Sequence, residues 1–250
     1  MSKIGVFDSG IGGLTVLDEL INIIPNEDYI FYADSKNNPY GEKSDEELYN
    51  ITSKIVDYLK ENGCRIIVIA CNTATTRCIK YLRDKYKDLI FIGTEPAIKL
   101  ACDNDYNNIL VMATPGTIKS ERTNLLVLNN KKENENVFLE ACYGLAHAIE
   151  TEGTEDEEEI VASIYEKYKD ANIDAIVLGC THYPYIKSLI NKYFKDVPLL
   201  DGSNGVARET KRQLELNNLA TGKGSGKVDM IKTKWYLVFF LFNLIKILYN

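Results

Sequence analysis

Short apolar runs and amphipathic stretches alternate along most of this sequence. The first unit begins with the apolar run IGVF, passes through a glycine-bearing turn, and continues with apolar residues on one helix face at positions 14, 17, 20 and 24. The second begins with YIFYA and leads, after a polar loop, into a helix whose start is marked by Ser44 and Glu47, the pattern of a capping box. Each unit predicts a buried strand, a polar turn and a helix.

The same order recurs through the rest of the chain. A continuous apolar run over residues 66–70 is typical of a strand that is covered on both faces, as in a parallel sheet. The runs LIFIG, NILVMA, AIVLG and VPLL each precede a polar turn and a helical stretch. This alternation predicts an α/β protein whose parallel strands are joined by right-handed crossovers.

Two distant stretches resemble each other. RIIVIACNTAT and DAIVLGCTHYP both place a cysteine, Cys71 or Cys180, at the end of an apolar strand and just before a threonine-bearing turn. A glycine-bearing turn precedes each by a similar distance, at Asp8 and at Thr114. We interpret the chain as two similar halves. Open α/β sheets bind ligands at the carboxyl ends of their strands, so the candidate positions are Asp8, Ser9, 39–41, 71–73, 114–117, 180–182 and Asp201.

The composition is that of a globular protein and not of a nucleic-acid-binding one. With 250 residues, 45% of them hydrophobic and 26% charged, the chain is long enough to bury a core. A net charge of −7 and a pI near 5.1 argue against a nucleic-acid partner, because phosphate binding depends on clustered Lys and Arg. The N-terminal residues lack the features of a signal peptide, so a cytoplasmic location is expected.

The segment from Trp235 to Asn250, WYLVFFLFNLIKILYN, is unusually apolar. As a helix it would be about 24 Å long, which is short of the roughly 30 Å hydrocarbon core of a bilayer. Lys246 also interrupts it. We therefore favour a buried terminal helix or strand over a contact with a membrane or a partner, and we predict no membrane span.

The six cysteines include no CxxC pair, so all are expected to be thiols, and most to be buried structural residues. The turn DSGIGG after the first strand lacks the Lys-Ser/Thr of a P-loop, which disfavours a nucleotide site. Its backbone N–H groups suit a smaller anion such as a carboxylate. Cys71 and Cys180 differ from the other cysteines because each opens a helix, where the dipole and nearby donors would lower the thiol pKa.

Three kinds of chemistry fit these two cysteines. A zinc site would recruit Cys71, Cys180, His182 and His147, but no paired spacing supports it. A hydrolase would pair Cys180 with His182, although the partners of such a dyad usually come from separate segments. Inversion of a carbon centre would use both thiols, one to remove a proton and the other to return one on the opposite face.

Seven ordered motifs between residues 5 and 207 resemble those of the aspartate/glutamate racemase superfamily. They are GVFDSGIGGLTVL, YADSKNNPYGEKS, IVIACNTATT, GTEPAIKLA, ATPGTIKS, VLGCTHYP and LLDGSNGVA. Together with the internal repeat, the resemblance implies two pseudo-symmetric α/β lobes with largely parallel sheets and an active site in the cleft between them. We expect residues 1–95 and 208–250 to form the first lobe and residues 96–207 the second.

The resemblance also implies an activity, the cofactor-independent interconversion of L- and D-glutamate, which supplies D-glutamate for bacterial peptidoglycan. Cys71 would remove the α-proton of D-glutamate and Cys180 that of L-glutamate, assisted by Asp8 and His182 respectively, with Glu150 as a further acid. The residues expected to hold the substrate are Asp8, Ser9, Pro39, Tyr40, Gly41, Asn72, Thr73, Thr114, Thr117, Thr181 and His182.

Two segments depart from the family pattern. Near Glu150 the family has a Cys-Pro pair and a proline before the glutamate, where this chain has Cys142-Tyr143 and Ala148. After about Gly226 the chain is far more apolar than the family's last helix. Two further hypotheses stay open: racemisation of aspartate or another small acid, and a binding protein without activity. The expected partners are the glutamate substrate and a second copy of the chain, with no metal, nucleic acid or membrane.

Overall fold

A computed structural model describes residues 3–151 and 154–233, so the apolar segment 235–250 lies outside the described residues. The strands are β1 (Ile4–Asp8), β2 (Tyr29–Ala33), β3 (Ile66–Ile69), β4 (Ile90–Gly93), β5 (Asn108–Ala113), β6 (Asn136–Ala141), β7 (Ala175–Gly179), β8 (Leu199–Leu200) and β9 (Val228–Lys232). The helices are α1 (Leu14–Ile23), α2 (Asp45–Glu61), α3 (Asn72–Lys85), α4 (Ile98–Asp103), α5 (Pro115–Ile118), α6 (Glu121–Asn130), α7 (Leu145–Thr151), α8 (Thr154–Tyr168), α9 (Lys187–Tyr193) and α10 (Ser203–Leu216).

The strands form two parallel sheets, which confirms the predicted α/β class. The first sheet has the order β4-β3-β1-β2-β9 and the second the order β6-β5-β7-β8. Four strands of the first sheet, in the order β2-β1-β3-β4, correspond to the four strands of the second sheet. Strand β5 therefore corresponds to β1, and strand β7 corresponds to β3. The carboxyl ends of β1 and β3, and of β5 and β7, therefore occupy equivalent positions in the two lobes.

Both faces of each sheet are covered by apolar side chains. Every residue of β1, β3 and β7 is buried, as the continuous apolar runs predict. Neighbouring residues of β1 enter different cores, with Val6 in a cluster that includes Leu17 and Leu20 and Phe7 in a cluster that includes Leu59. This alternation fixes which side chains each strand end presents to the site.

Helix α10 packs on the first sheet, where Val206 and Ala207 share a cluster with Leu17. Because α10 begins at Ser203, a boundary between residues 207 and 208 would cut this helix. The division of the chain into residues 1–95 plus 208–250 and 96–207 stays a prediction.

Local features bear out part of the predicted pattern. Ser44 and Glu47 form the predicted capping box at the start of α2. The edge strands β6 and β9 were not predicted, because every residue of β9 and nearly all of β6 is only half-buried and their sequences mix polar with apolar residues. Within residues 3–151 and 154–233, no helix is long and apolar enough to cross a bilayer.

Candidate active site

Cys71 and Cys180 lie at equivalent positions of the two sheets. Cys71 follows β3 and caps α3, while Cys180 follows β7. Both side chains are buried and line the same cavity between the lobes. The backbone N–H of Ala74 donates to Cys71 Sγ over 3.5 Å, and the Cys71 thiol donates to Ser9 Oγ over 3.7 Å. The fold thus brings together the two thiols that the internal repeat singled out.

Burial dominates the electrostatics of the Cys71 thiol. It raises the pKa of Cys71 above its usual range, and the nearby charge of Asp8 adds to this effect. The N–H group of Ala74 lowers the same pKa but does not offset the loss of water. The expectation that a helix start lowers the pKa is therefore wrong for Cys71 in this closed cavity. A thiolate here needs a positive charge beside it.

Asp8 ends β1 and is wholly buried behind the cavity. Its carboxylate accepts hydrogen bonds from the N–H of Gly10 over 3.0 Å and from Thr181 Oγ1 over 3.2 Å. Burial raises the pKa of Asp8, and the charge of His182 lowers it to a smaller extent. Because Thr181 follows β7 of the second sheet, this hydrogen bond also links the two lobes.

A chain of contacts extends from the second thiol into the protein. Cys180 Sγ lies 3.7 Å from His182 Nδ1, and His182 Nε2 lies 2.5 Å from Glu150 Oε2. Burial acts to lower the pKa of His182, but the contacts with Cys180 and Glu150 outweigh it and raise that pKa well above its usual value. These contacts favour the protonated form of the imidazole, which can exchange a proton with the thiol.

Glu150 is held by both lobes. The backbone N–H of Ile11 donates to Oε2 over 3.2 Å, and Ser35 Oγ donates to Oε1 over 3.1 Å. Burial acts to raise the pKa of Glu150, while the bond and charge of His182 and these two donors lower it overall. A Cβ atom at Gly10 would collide with the Glu150 carboxylate, which explains why a glycine stands there.

Three threonine hydroxyls meet where the lobes face each other. Thr73 Oγ1 lies 2.8 Å from Thr114 Oγ1 and 3.2 Å from Thr117 Oγ1, and the last two are 3.0 Å apart. Beside them, Asn72 is buried with its Nδ2 amide group unpaired within the described structure. A buried donor without a partner is costly, so Asn72 is placed to bind a ligand's oxygen.

The segment Pro39 to Gly41 forms another wall of the cavity. Tyr40 is buried and its hydroxyl donates to Asp34 Oδ2 over 2.7 Å. Gly41 faces the other lobe, where a Cβ atom would lie 3.2 Å from Thr114 Cβ. Asp34 fixes the loop from behind, a role that the sequence did not reveal.

The cavity has a volume of about 40 Å³. Of the predicted site residues it is lined by Ser9, Pro39, Tyr40, Gly41, Cys71, Asn72, Thr73, Thr114, Cys180, Thr181 and His182. Asp8, Glu150 and Thr117 do not line it but contact residues that do. Asp201 lies elsewhere and binds Lys187 over 2.9 Å.

Sequence reasoning missed part of the wall. Cys142, Gly144 and Ala146, together with His147, contribute to it. Only the zinc hypothesis had included His147. The structure does not support that hypothesis, because within residues 3–151 and 154–233 no group of three His, Cys, Asp or Glu residues is arranged to hold a metal ion.

Two α/β lobes with a pair of cysteines facing one cleft can place one thiol on each side of a carbon centre, the arrangement that a racemase requires. The sequence profile of the Asp/Glu/Hydantoin racemase family matches residues 4–210, and the chain belongs to this family. A glutamate racemase of Clostridium botulinum is 43% identical over 235 residues, which cover 92% of this chain and 91% of that protein.

Solved structures agree with this assignment. The glutamate racemase of Francisella tularensis, in complex with D-glutamate, has a TM-score of 0.81 and 31% identity, with 94% of this chain and 89% of that chain covered. The glutamate racemase of Escherichia coli, in complex with L-glutamate and the activator UDP-MurNAc-Ala, has a TM-score of 0.75 and 25% identity, with 93% and 99% covered.

Proposed function

We propose that this protein interconverts L- and D-glutamate without a cofactor, using Cys71 and Cys180 as its two acid–base groups. The observation that carries the proposal is the placement of two buried cysteines at equivalent strand ends of one cavity. Each has a different partner, since Asp8 and Ser9 lie near Cys71 whereas His182 lies near Cys180. Relatives named glutamate racemase support glutamate as the substrate.

The substrate's α-carbon would lie between the two sulfur atoms. The amide of Asn72 and the hydroxyl of Thr73 are donors for the α-carboxylate, on which the negative charge of the transition state develops, while the hydroxyl of Thr181 lines the same cavity and donates to Asp8. The ammonium group would bring a positive charge to the buried thiols, which favours the thiolate that burial of Cys71 opposes. Substrate binding therefore helps to create the base.

Proton transfer then proceeds in two steps. For D-glutamate, the Cys71 thiolate takes the α-proton, the Cα–H bond breaks, an S–H bond forms, and the electron pair is shared with the α-carboxylate. The Cys180 thiol returns its own proton to the opposite face and becomes a thiolate. The two cysteines exchange roles for L-glutamate. His182 is placed to return a proton to Cys180 between turnovers, because its Nδ1 faces the sulfur.

The cavity implies that the protein opens and closes. Its volume of about 40 Å³ is far below the roughly 300–1000 Å³ of common ligand pockets. We expect the lobes or the lining side chains to move apart for substrate to enter. Closure then excludes water from the carbanion and holds the thiols in position.

Incubation of L- or D-glutamate with the protein in D₂O tests the proposal. We expect circular dichroism of the substrate to decay to zero while deuterium enters the α-position. Cys71→Ser and Cys180→Ser should each abolish racemisation, whereas Cys78→Ser, at a buried cysteine away from the cavity, should not. Racemisation that survives both changes would refute the two-thiol mechanism. Faster racemisation of aspartate would favour that substrate, and no exchange with any acidic amino acid would favour a binding protein.

From the family resemblance we infer that the protein is cytoplasmic and that it supplies D-glutamate for peptidoglycan. We also infer that it forms a homodimer. Light scattering coupled to size-exclusion chromatography measures the assembly, and a monomer at working concentration would remove the dimer from this proposal.

A further inference from the structure

Ser35 holds one oxygen of Glu150 from the opposite lobe. It lies just after β2 in the first lobe, whereas Glu150 is carried by α7 of the second. Ser35 Oγ donates to Glu150 Oε1 over 3.1 Å, while Glu150 Oε2 is in contact with the N–H of Ile11 and the ring of His182. Among the described residues, Ser35 is therefore the one hydrogen-bond donor to Oε1.

The turn that carries Ser35 is fixed on both sides. The amide of Asn37 donates to both carboxylate oxygens of Asp34, over 3.0 and 2.9 Å. The backbone N–H of Lys36 donates to Thr233 Oγ1 over 2.9 Å, which ties the turn to the end of β9. The first lobe thus presents the hydroxyl of Ser35 in a set place, where α7 of the second lobe meets it.

Glu150 depends on its donors to keep a negative charge. The residue is only 7% exposed. Burial acts to raise its pKa, while contacts with His182, Ile11 and Ser35 lower it overall. A buried carboxylate oxygen without a donor is costly. Loss of the Ser35 hydroxyl would therefore move the proton shared with His182 toward Glu150, which is the end of the pair away from Cys180.

Asp8 and Tyr185 also lie near the pair. Asp8 accepts hydrogen bonds, and burial raises its pKa. Tyr185 donates its hydroxyl proton to the carbonyl of Ile11 over 3.2 Å, and burial raises its pKa as well. In the described part of the chain neither group donates to the Glu150 carboxylate, so neither replaces the hydroxyl of Ser35.

We propose that Ser35 is a positioning residue for proton transfer at Cys180. Its hydroxyl holds the negative charge on Glu150 and so keeps the shared proton on His182. This inference rests on the proposed racemase activity and adds a residue of the first lobe to the proton transfer of the second.

The transfer itself changes no bond of Ser35. The Nδ1–H bond of His182 breaks, an S–H bond forms on the Cys180 thiolate, and the electron pair of the broken bond stays on Nδ1. A proton from solvent later restores the imidazolium. Cys71 has Ser9 and Asp8 beside it instead of an imidazole, so Ser35 should affect only one of the two thiols.

Single-thiol proteins test this inference, because each isolates the exchange at one sulfur atom. In Cys71→Ser, deuterium from D₂O enters L-glutamate through Cys180. In Cys180→Ser, it enters D-glutamate through Cys71. Addition of Ser35→Ala should slow the first exchange about tenfold, the effect of one charge-assisted hydrogen bond. It should leave the second nearly unchanged, whereas a general defect in folding or lobe closure would slow both.

Two further variants serve as comparisons. Ser35→Thr keeps the hydroxyl and should restore most of the lost rate. Ser163→Ala removes a hydroxyl on α8 that donates to the carbonyl of Ile160, and it should change neither exchange. Equal slowing of both exchanges in Ser35→Ala, no slowing of either, or a rate in Ser35→Thr as low as in Ser35→Ala would overturn the inference.

If the protein neither racemises glutamate nor exchanges its α-proton, the proposed function fails separately. Nitrogen-15 NMR of the imidazole then still tests the role of Ser35. The chain has 2 histidines, so His147→Gln leaves the signals of His182 alone. We expect the signals of an imidazolium in His147→Gln, and a shift toward those of a neutral imidazole when Ser35→Ala is added at the same pH. Identical spectra would reject the role of Ser35.

Discussion

Glu150 Oε2 lies 2.5 Å from His182 Nε2, and both side chains are buried where the two lobes meet. Burial opposes charge on either group, yet their contacts raise the pKa of His182 and lower the pKa of Glu150. Both shifts favour an imidazolium beside a carboxylate. The protein thus keeps a proton within reach of Cys180 at pH values where an isolated imidazole would lose it.

Glu150→Gln should remove the negative charge that favours protonation of His182. The substitution keeps the shape of the side chain but takes away its charge, so the pKa of His182 should fall toward its usual value. We expect kcat/KM to drop about 10²-fold and its pH profile to move to lower pH. The profile is measured by racemisation rates between pH 5 and 10.

The matched control is Glu140→Gln. Glu140 accepts hydrogen bonds from Lys167 and Tyr168, and none of these three residues lines the cavity. Its substitution should leave the pH profile in place. An unshifted profile in Glu150→Gln would mean that Glu150 acts only through packing.

Single-thiol variants should separate the two halves of the reaction. In Cys180→Ser, Cys71 can still remove the α-proton of D-glutamate and return a deuteron from D₂O to the same face. We expect slow exchange of D-glutamate with retained configuration, and the corresponding exchange of L-glutamate in Cys71→Ser. Mass spectrometry of each enantiomer measures it. Exchange of the opposite enantiomers would reverse the assignment of the two thiols.

Asp8→Asn should make the protein more stable and less active. Because burial raises the pKa of Asp8 in the folded state, folding loses stability as the pH rises from the unfolded value, about 3.9, toward the folded value. Asparagine avoids that loss and can still bond with Gly10 and Thr181. We expect a gain of about 0.5–2 kcal/mol in the free energy of unfolding at pH 7, measured by thermal and denaturant unfolding.

Asp201→Asn is the control, and its effect on the free energy of unfolding should have the opposite sign. Burial acts to raise the pKa of Asp201, but the contacts with Lys187 and Ser203 lower it overall. This carboxylate stabilises the fold above its unfolded pKa, and the contribution is lost as the pH falls through the folded pKa. Its substitution should therefore lower the unfolding free energy at pH 7. Equal effects of the two substitutions would contradict the electrostatic explanation.

Gly12→Ala should impair the closed site. A Cβ atom at Gly12 would lie 2.5 Å from Thr181 Oγ1 and 2.6 Å from His182 Nδ1, so both side chains would have to move. Small displacements of catalytic groups are costly, and we expect kcat/KM to fall about 10²-fold.

Gly205→Ala serves as the comparison, because a Cβ atom there meets no other atom within 4 Å. It lies in α10 and should leave activity unchanged while slightly stabilising the helix. Equal activity of Gly12→Ala and the unmodified protein would show that the site tolerates an open arrangement.

The fold was easiest to predict from the sequence where burial alone determines which residue types a segment contains. Central strands such as β3 must be covered on both faces, so their apolar runs are continuous and easily recognised. The two cysteines were found because the halves repeat. Edge strands β6 and β9 escaped prediction because their half-buried residues follow no such requirement.

The supports of the site depend on contacts between distant parts of the chain. Glu150 receives hydrogen bonds from Ile11, 139 positions away, and from Ser35, 115 positions away. No local sequence pattern predicts hydrogen bonds between residues so far apart in the chain. The direction of the Cys71 pKa shift was mispredicted for a related reason, since it depends on how completely the two lobes exclude water.

The two lobes share one strand order but surround their thiols with different groups. The substrates are mirror images with equal free energies, so the equilibrium constant between them is one. The Haldane relationship then requires equal kcat/KM in the two directions, whatever groups stand beside Cys71 and Cys180. The asymmetry of the site can therefore appear only in kcat and KM taken separately, and every active variant must obey the same equality.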